Sequence, residues 1–167
     1  NYNIAPTEPI LVIAEHRQQR RLGTMNWGLV PYFAKDRSTA ARMINARSEG
    51  IADKPAFRHA LLRRRCIIPA DGFYEWERSA TQAQVSSKNQ KKKQPWYFKR
   101  NDSEPLAFAG LWEVWRDPNN PVREISPHIS CTVLTIEANE DVAHIHNRMP
   151  LVLPKENWRE WLSRDQQ

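Results

Sequence analysis

Apolar and aromatic residues cluster in short runs along this chain, and the runs have the length and composition of strands. Residues 10–15 (ILVIAE) form a β-branched run behind Pro9, and residues 21–31 (RLGTMNWGLVP) carry Trp27 and Val30 to a breaker at Pro31. Both read as strands, joined by a hairpin across HRQQR. The end of the stretch CIIPADGFYEW, from Phe73, alternates as a strand, and PWYFKR, LAFAGLWEVW and HISCTVLTI read as three more strands, separated by Pro and Asn clusters. PAFRHALLRRR starts with Pro55 at a first helical position and places Phe57, Ala60 and Leu61 on one face, and its basic end suits the helix dipole. Asn139 can cap a short helix through EDVAHIH. Pro154 opens a last helix, PKENWREWLSRD, on whose stripe lie Trp158, Trp161 and Leu162. Too little helix lies between the strands for parallel crossovers, so antiparallel pairing and an α+β, mainly antiparallel class are expected.

Residues 79–94 (SATQAQVSSKNQKKKQ) break this rhythm: they are polar, lack periodicity and end in a lysine run, and are read as a surface loop between two strands. No internal repeat and no second domain is indicated, so residues 1–167 are expected to form one domain. A chain of this length buries roughly 70% of its unfolded surface. With 40% hydrophobic residues, including seven Trp, four Tyr and five Phe, it is too rich in core-forming side chains for disorder.

Charge adds a partner class. Lys and Arg number 25 against 19 Asp and Glu, a net charge of +6, which fits a polyanionic partner without requiring one. Aromatic residues recur beside the cations in NWGLVPYFAKDR and KKKQPWYFKR, as in surfaces that stack bases and meet phosphates, although rings of this kind also fill cores. The two cysteines, Cys66 and Cys131, sit in apolar runs and are expected to be buried, in a reducing compartment and without a disulfide framework. No apolar run approaches the roughly 18 residues of a membrane span and no secretory signal pattern opens the chain, so a cytoplasmic, intracellular monomer with no membrane partner is expected.

Three segments could carry chemistry. Alternation along residues 73–77 puts Phe73, Glu75 and Glu77 on one side of a strand and Tyr74 and Trp76 on the other. Glu75 is then either a solvated acid opposite a core face of rings, or a carboxylate in an aromatic-walled cleft where desolvation tunes it for proton transfer. INARSEG, residues 44–50, packs Asn45, Arg47 and a carboxylate together: either a loop making its own hydrogen bonds, or an amide for a substrate oxygen beside a guanidinium fork for phosphate. In HIHNRMPLVLP, His144 and His146 have the spacing of a metal-ligand pair, but no third closely spaced ligand accompanies them, so zinc is discounted and a single acid–base histidine is preferred. Arg148 follows, either solvated or on a phosphate. No metal and no cofactor is called for, and no P-loop, dinucleotide or serine-elbow motif occurs.

Taken in order, NYNIAPTEP, NWGLVP, INARSEG, RCIIPADGFYEW, AGLWE, TVLTIEAN and IHNRMPLVLP resemble the SOS response-associated peptidase family, also called abasic-site processing proteins. The resemblance covers the chain outside residues 79–94 and 116–128. It implies an open, barrel-like, mainly antiparallel fold with a few helices and a positively charged groove for single-stranded DNA, nucleoid-associated when DNA-bound. It also implies an N-terminal cysteine that closes a thiazolidine on a ring-opened abasic site, with associated autoproteolytic and lyase activity in the DNA damage response. Carried over, Asn45 holds the cysteine and sugar, Glu75 is the acid for ring opening, and His146 is the acid–base partner at the sugar hydroxyl. Arg47 and Arg148 grip phosphates, Trp76 and Thr135 line the groove, and Phe33 stands where many relatives carry a wedging Trp. The Cys-Gly-Arg start and a closing His-Pro-Val-Ser pattern do not occur between Asn1 and Gln167, so the domain is expected to be truncated at both ends and by itself unable to crosslink. A non-catalytic single-strand binding module is the competing expectation, and a protease acting on other proteins a weaker one.

Overall fold

The computed structural model describes residues 3–16, 19–77, 93–120 and 126–163. Five long strands make a barrel. β1 (Pro9–His16) and β2 (Gln19–Trp27) form the expected hairpin, in register from Pro9 opposite Asn26 to His16 opposite Gln19. β1 also pairs with β4 (Arg65–Ala70), β4 with β7 (Leu106–Trp115), and β7 with β8 (His128–Glu137), all antiparallel. The ring closes where β2 meets β8, Asn26 opposite Ser130 and Trp27 opposite Cys131. An open barrel was expected; this pairing shuts it, and it is parallel. A second parallel pair joins β8 to β3 (Asn45–Arg47), while β9 (Arg148–Pro150) runs antiparallel to the far end of β8. Both parallel pairs join segments far apart in the chain, with several other strands between them, so neither is a simple crossover unit and a count of helical segments missed them.

Pleating sorts the core. Ile10, Val12, Cys66, Ile68, Phe108, Cys131 and Val133 alternate into one cluster inside the barrel. The opposite faces of the same strands are covered as well: α1 (Pro55–Arg63) lays Phe57 and Ala60 on Ala109, Leu111 and Leu134, and α3 (Trp158–Leu162) lays Leu162 on Ile67 and Ala107. Burial on both faces explains the near-continuous apolar runs in β4, β7 and β8. Arg65 pins α3, donating from Nε to Trp161 O at 2.7 Å while its guanidinium lies over the Trp161 ring, and Trp161 Nε1 donates to Cys66 O at 2.8 Å.

The structure shortens several expected elements. β2 ends at Trp27, because Gly28 turns the chain at a φ of 137° and leads Leu29 and Val30 into the core outside any strand. The helix through EDVAHIH is one turn, α2 (Glu140–Ala143), and the last helix starts as a 3-10 turn at Lys155–Asn157 before α3. INARSEG contributes strand β3 where a loop was one of the two readings. The loop expected over residues 79–94 lies outside the described residues except for its last two positions.

Residues 66–76 belong to two strands. The chain breaks at Asp71 and Gly72, leaves the barrel, and pairs β5 (Phe73–Trp76) with β6 (Pro95–Phe98) in a separate two-stranded ribbon. Phe73 stacks on Phe98 at 5.1 Å and meets Phe108 edge-on at 6.1 Å, tying the ribbon to the barrel. Gly72 is where the chains crowd: a Cβ there would lie 2.3 Å from Phe98 O and 2.6 Å from the Tyr97 ring. Gly72→Ala is therefore expected to prise the ribbon apart at a cost of about 2 kcal/mol, read by urea denaturation; a stability equal to the parent's would show that the ribbon slides freely.

Candidate active site

The ribbon sets Glu75. Phe73 and Glu75 are half-buried and Tyr74 and Trp76 are exposed, so the alternation is as the sequence predicts but its sides are exchanged: the acid faces inward and the rings outward. Half-burial of a carboxylate needs a partner, and Glu75 Oε1 lies 3.7 Å from His146 Nδ1, with 22% and 27% of the two side chains exposed. His146 is aimed by the chain that follows it. The Arg148 amide donates to Nδ1 at 3.1 Å, and Arg148 O lies 3.0 Å from the same nitrogen. When Nδ1 accepts that amide, the mobile proton resides on Nε2; when the ring is charged, Nδ1–H has both Arg148 O and the Glu75 carboxylate within reach.

Two hollows meet at Glu75. One, of about 450 Å³, is lined by Glu75, Trp76, Lys93 and His146. The other, of about 520 Å³, opens onto the barrel core through Ile10, Ile68, Phe108 and Val133 and is edged by Asn45, Tyr74, Glu75 and Trp76. Asn45 borders the second hollow and His146 the first, while Glu75 and Trp76 border both. Asn45 and Arg47 share the exposed face of β3 while Ala46 packs into the core beneath α1.

Arg148 is held rather than free. Its fork donates to both Glu49 oxygens, Nη1 to Oε1 at 2.8 Å and Nη2 to Oε2 at 2.9 Å, and Nη2 also reaches Thr135 O and Oγ1. Thr135 is buried and fastens Arg148 instead of lining the cleft. Trp76 does border the cleft and is 52% exposed. Phe33, also exposed, lines neither hollow; it packs edge-on to Tyr32, which contacts His59. His144 sits apart from His146, exposed, with its ring 6.3 Å from Trp96. Among the described residues no group of three or more His, Cys, Asp and Glu side chains comes together to hold a metal.

The Arg148 guanidinium pulls the Glu49 carboxyl down to about 2, with Arg47 adding a smaller push in the same direction. A lowered carboxylate pKa means that the pair is intact above the ordinary carboxylate range and is lost as the pH falls towards 2. NMR titration of Glu49 should give that low midpoint, and in an Arg148→Gln variant the midpoint should return close to 4; an unmoved midpoint in the variant would show that something else holds the charge.

Glu49 lies within INARSEG, yet nothing in the sequence pairs it with Arg148 on another strand. Lys93 was visible only as the end of a lysine run. Two further polar positions were missed outright: Glu113 is 1% exposed, and Ser130 is fully buried, its Oγ accepting the Val30 amide at 2.9 Å.

Together these features define a small closed barrel whose mouth carries a carboxylate–imidazole pair beside amide and guanidinium side chains. The barrel recurs in solved structures: a phage-related protein of Bordetella bronchiseptica is 30% identical with a TM-score of 0.72, covering 98% of this chain and 70% of that one. A protein of Bacteroides thetaiotaomicron, 24% identical, shares the fold with a TM-score of 0.78. The sequence matches the SOS response associated peptidase (SRAP) family over residues 1–167, and the chain belongs to that family. It is similar to the abasic site processing protein YoqW of Bacillus subtilis, 44% identical over 98% of this chain and 66% of the relative. It is also similar to the abasic site processing protein HMCES of Gallus gallus, 32% identical over 92% of this chain and 50% of the relative. The chain therefore spans about two thirds of the first relative's length and half of the second's. No helix among the described residues is long and apolar enough to cross a membrane.

Proposed function

We propose that this chain is the core of an abasic-site processing protein that binds single-stranded DNA and supports covalent capture of the ring-opened sugar. The observation that carries the reading is the Glu75–His146 pair, with Glu75 also bordering the hollow that Asn45 edges, in a chain whose relatives bear that functional name. Trp76, Tyr74, Trp96 and Tyr97 offer exposed ring faces around the ribbon, suited to stacking on unpaired bases, and the net charge of +6 suits a polyanion.

In the proposed chemistry a residue carrying both an α-amine and a thiol condenses with the sugar aldehyde. The amine nitrogen bonds to the aldehyde carbon and water leaves; the sulfur then adds to the imine carbon, closing a thiazolidine. Glu75 protonates the ring oxygen as the sugar opens, and His146 takes and returns the proton at the sugar hydroxyl. Asn45 orients the aldehyde oxygen. Cys66 and Cys131 are unsuited to the nucleophilic role: both are buried mid-chain without a free amine, and burial pushes the Cys131 thiol up to about 12 and the Cys66 thiol well up too. The family resemblance puts the nucleophile on an N-terminal cysteine.

The test compares residues 1–167 with a longer form bearing an N-terminal cysteine, each incubated with single-stranded DNA with and without an abasic site. A denaturant-stable adduct only with the longer form and only on the lesion is the expected result. An adduct on residues 1–167 would refute the cysteine argument, and reversible, salt-sensitive binding to both DNAs with no adduct would favour the non-catalytic binder.

A further inference from the structure

Arg148 and Glu49 meet in the geometry that an arginine uses for phosphate. Both terminal nitrogens of the fork face both oxygens of one carboxylate at 2.8 and 2.9 Å. Behind the fork, Thr135 holds Nη2, so the guanidinium is fixed in direction and Glu49 caps its outward edge. The two partners differ in exposure: the Arg148 side chain is 19% exposed, while Glu49 is 57% exposed, beyond the end of β3. The carboxylate has open solvent to turn into, whereas the guanidinium is also tied to Thr135. Arg47, on the exposed face of β3, adds to the positive field at the same spot.

We propose that Glu49 is a built-in stand-in for a phosphate: it occupies the anion site of Arg148 in the free protein and is displaced by a backbone phosphate when single-stranded DNA enters. This rests on the single-stranded DNA reading above. Glu49 thereby sets a threshold, since a phosphate that approaches without the rest of the strand must compete with a tethered, bidentate carboxylate. A strand anchored elsewhere on the cleft delivers its phosphate at high local concentration and wins. The exchange moves no covalent bond. One ion pair is replaced by another, and the released carboxylate is hydrated at the surface.

An exposed pair of this kind contributes up to about a fivefold factor. Glu49→Gln is accordingly expected to tighten binding of a labelled, undamaged oligothymidylate about fivefold, measured by fluorescence anisotropy at fixed salt. The gain should depend on Arg148: in an Arg148→Gln background the same change should yield less than about twofold. Equal gains in both backgrounds would mean that Glu49 acts only as a distant negative charge, and weaker binding by Glu49→Gln would mean that it merely scaffolds Arg148; either result overturns the inference. Should Glu49→Gln fail to fold by circular dichroism, Glu49→Asp, too short to face the fork with both oxygens, should tighten binding in the same Arg148-dependent way, and its failure to do so overturns the inference equally. If the parent protein binds no single-stranded DNA at all, the functional reading itself falls and this inference with it. Parent binding without coupling between Glu49 and Arg148 sinks the inference alone.

Discussion

Replacing Glu75 by Gln in the form that carries an N-terminal cysteine is expected to slow adduct formation with abasic single-stranded DNA by a factor on the order of 100 or more. The amide has the size and reach of the carboxylate but neither donates nor accepts a proton at useful pH. Binding to undamaged strands should stay within about twofold, because Glu75 faces His146 while the rings of Tyr74 and Trp76 remain outward. His146→Gln should cost a similar factor, and the double variant no more than the worse single one, because the 3.7 Å pair acts as a unit. Single-turnover rates of adduct formation decide the matter. A loss below about threefold for Glu75→Gln would make the carboxylate a bystander and return it to the solvated-acid reading.

That reading was reasonable because period-two alternation assigns residues to faces but does not say which face is inside. Phe73 and Tyr74 are both aromatic, and only the ring contacts with Phe98 on the neighbouring strand and Phe108 on the barrel decide that Phe73 is the buried one. Glu75 follows Phe73 inward, and its counterpart His146 arrives from the turn between α2 and β9. The barrel strands were legible for the opposite reason: β1, β4, β7 and β8 are apolar on both faces, so their existence did not depend on choosing a side. Closure was illegible, since two residue pairs between β2 and β8 make it and no local pattern marks them. The strand character of Asn45–Arg47 was hidden likewise, because three residues with one buried alanine carry no period. The motifs that resembled a known family supplied the grouping of Asn45, Glu75 and His146 that local physics could not.

Glu113 shows what such motifs leave unsaid. It was visible only as the last letter of AGLWE, yet it is a carboxylate buried to 1% exposure near the end of β7. Its charge is answered on every side: Oε1 meets Arg64 Nη1 and accepts the Val114 amide, and Oε2 lies 3.5 Å from His59 Nδ1. Burial, with Arg64 and Arg63 nearby, pushes His59 below its ordinary value, which favours the neutral imidazole beside Glu113. Arg64 follows the last residue of α1 and lies over the Trp112 ring at 5.5 Å, while its carbonyl accepts the Trp112 amide at 2.9 Å. The ion pair therefore fastens the end of α1 to the barrel. Arg64→Met keeps the apolar stem over Trp112 but strands a buried charge with only a neutral imidazole and one amide, and should cost about 3 kcal/mol. Adding Glu113→Gln should recover most of that loss, because an uncharged amide in the same place no longer needs a cation. Urea denaturation of the two variants checks both statements. A cost under about 1 kcal/mol for Arg64→Met, or no recovery in the double variant, would mean that Glu113 draws its compensation from His59 and the backbone instead.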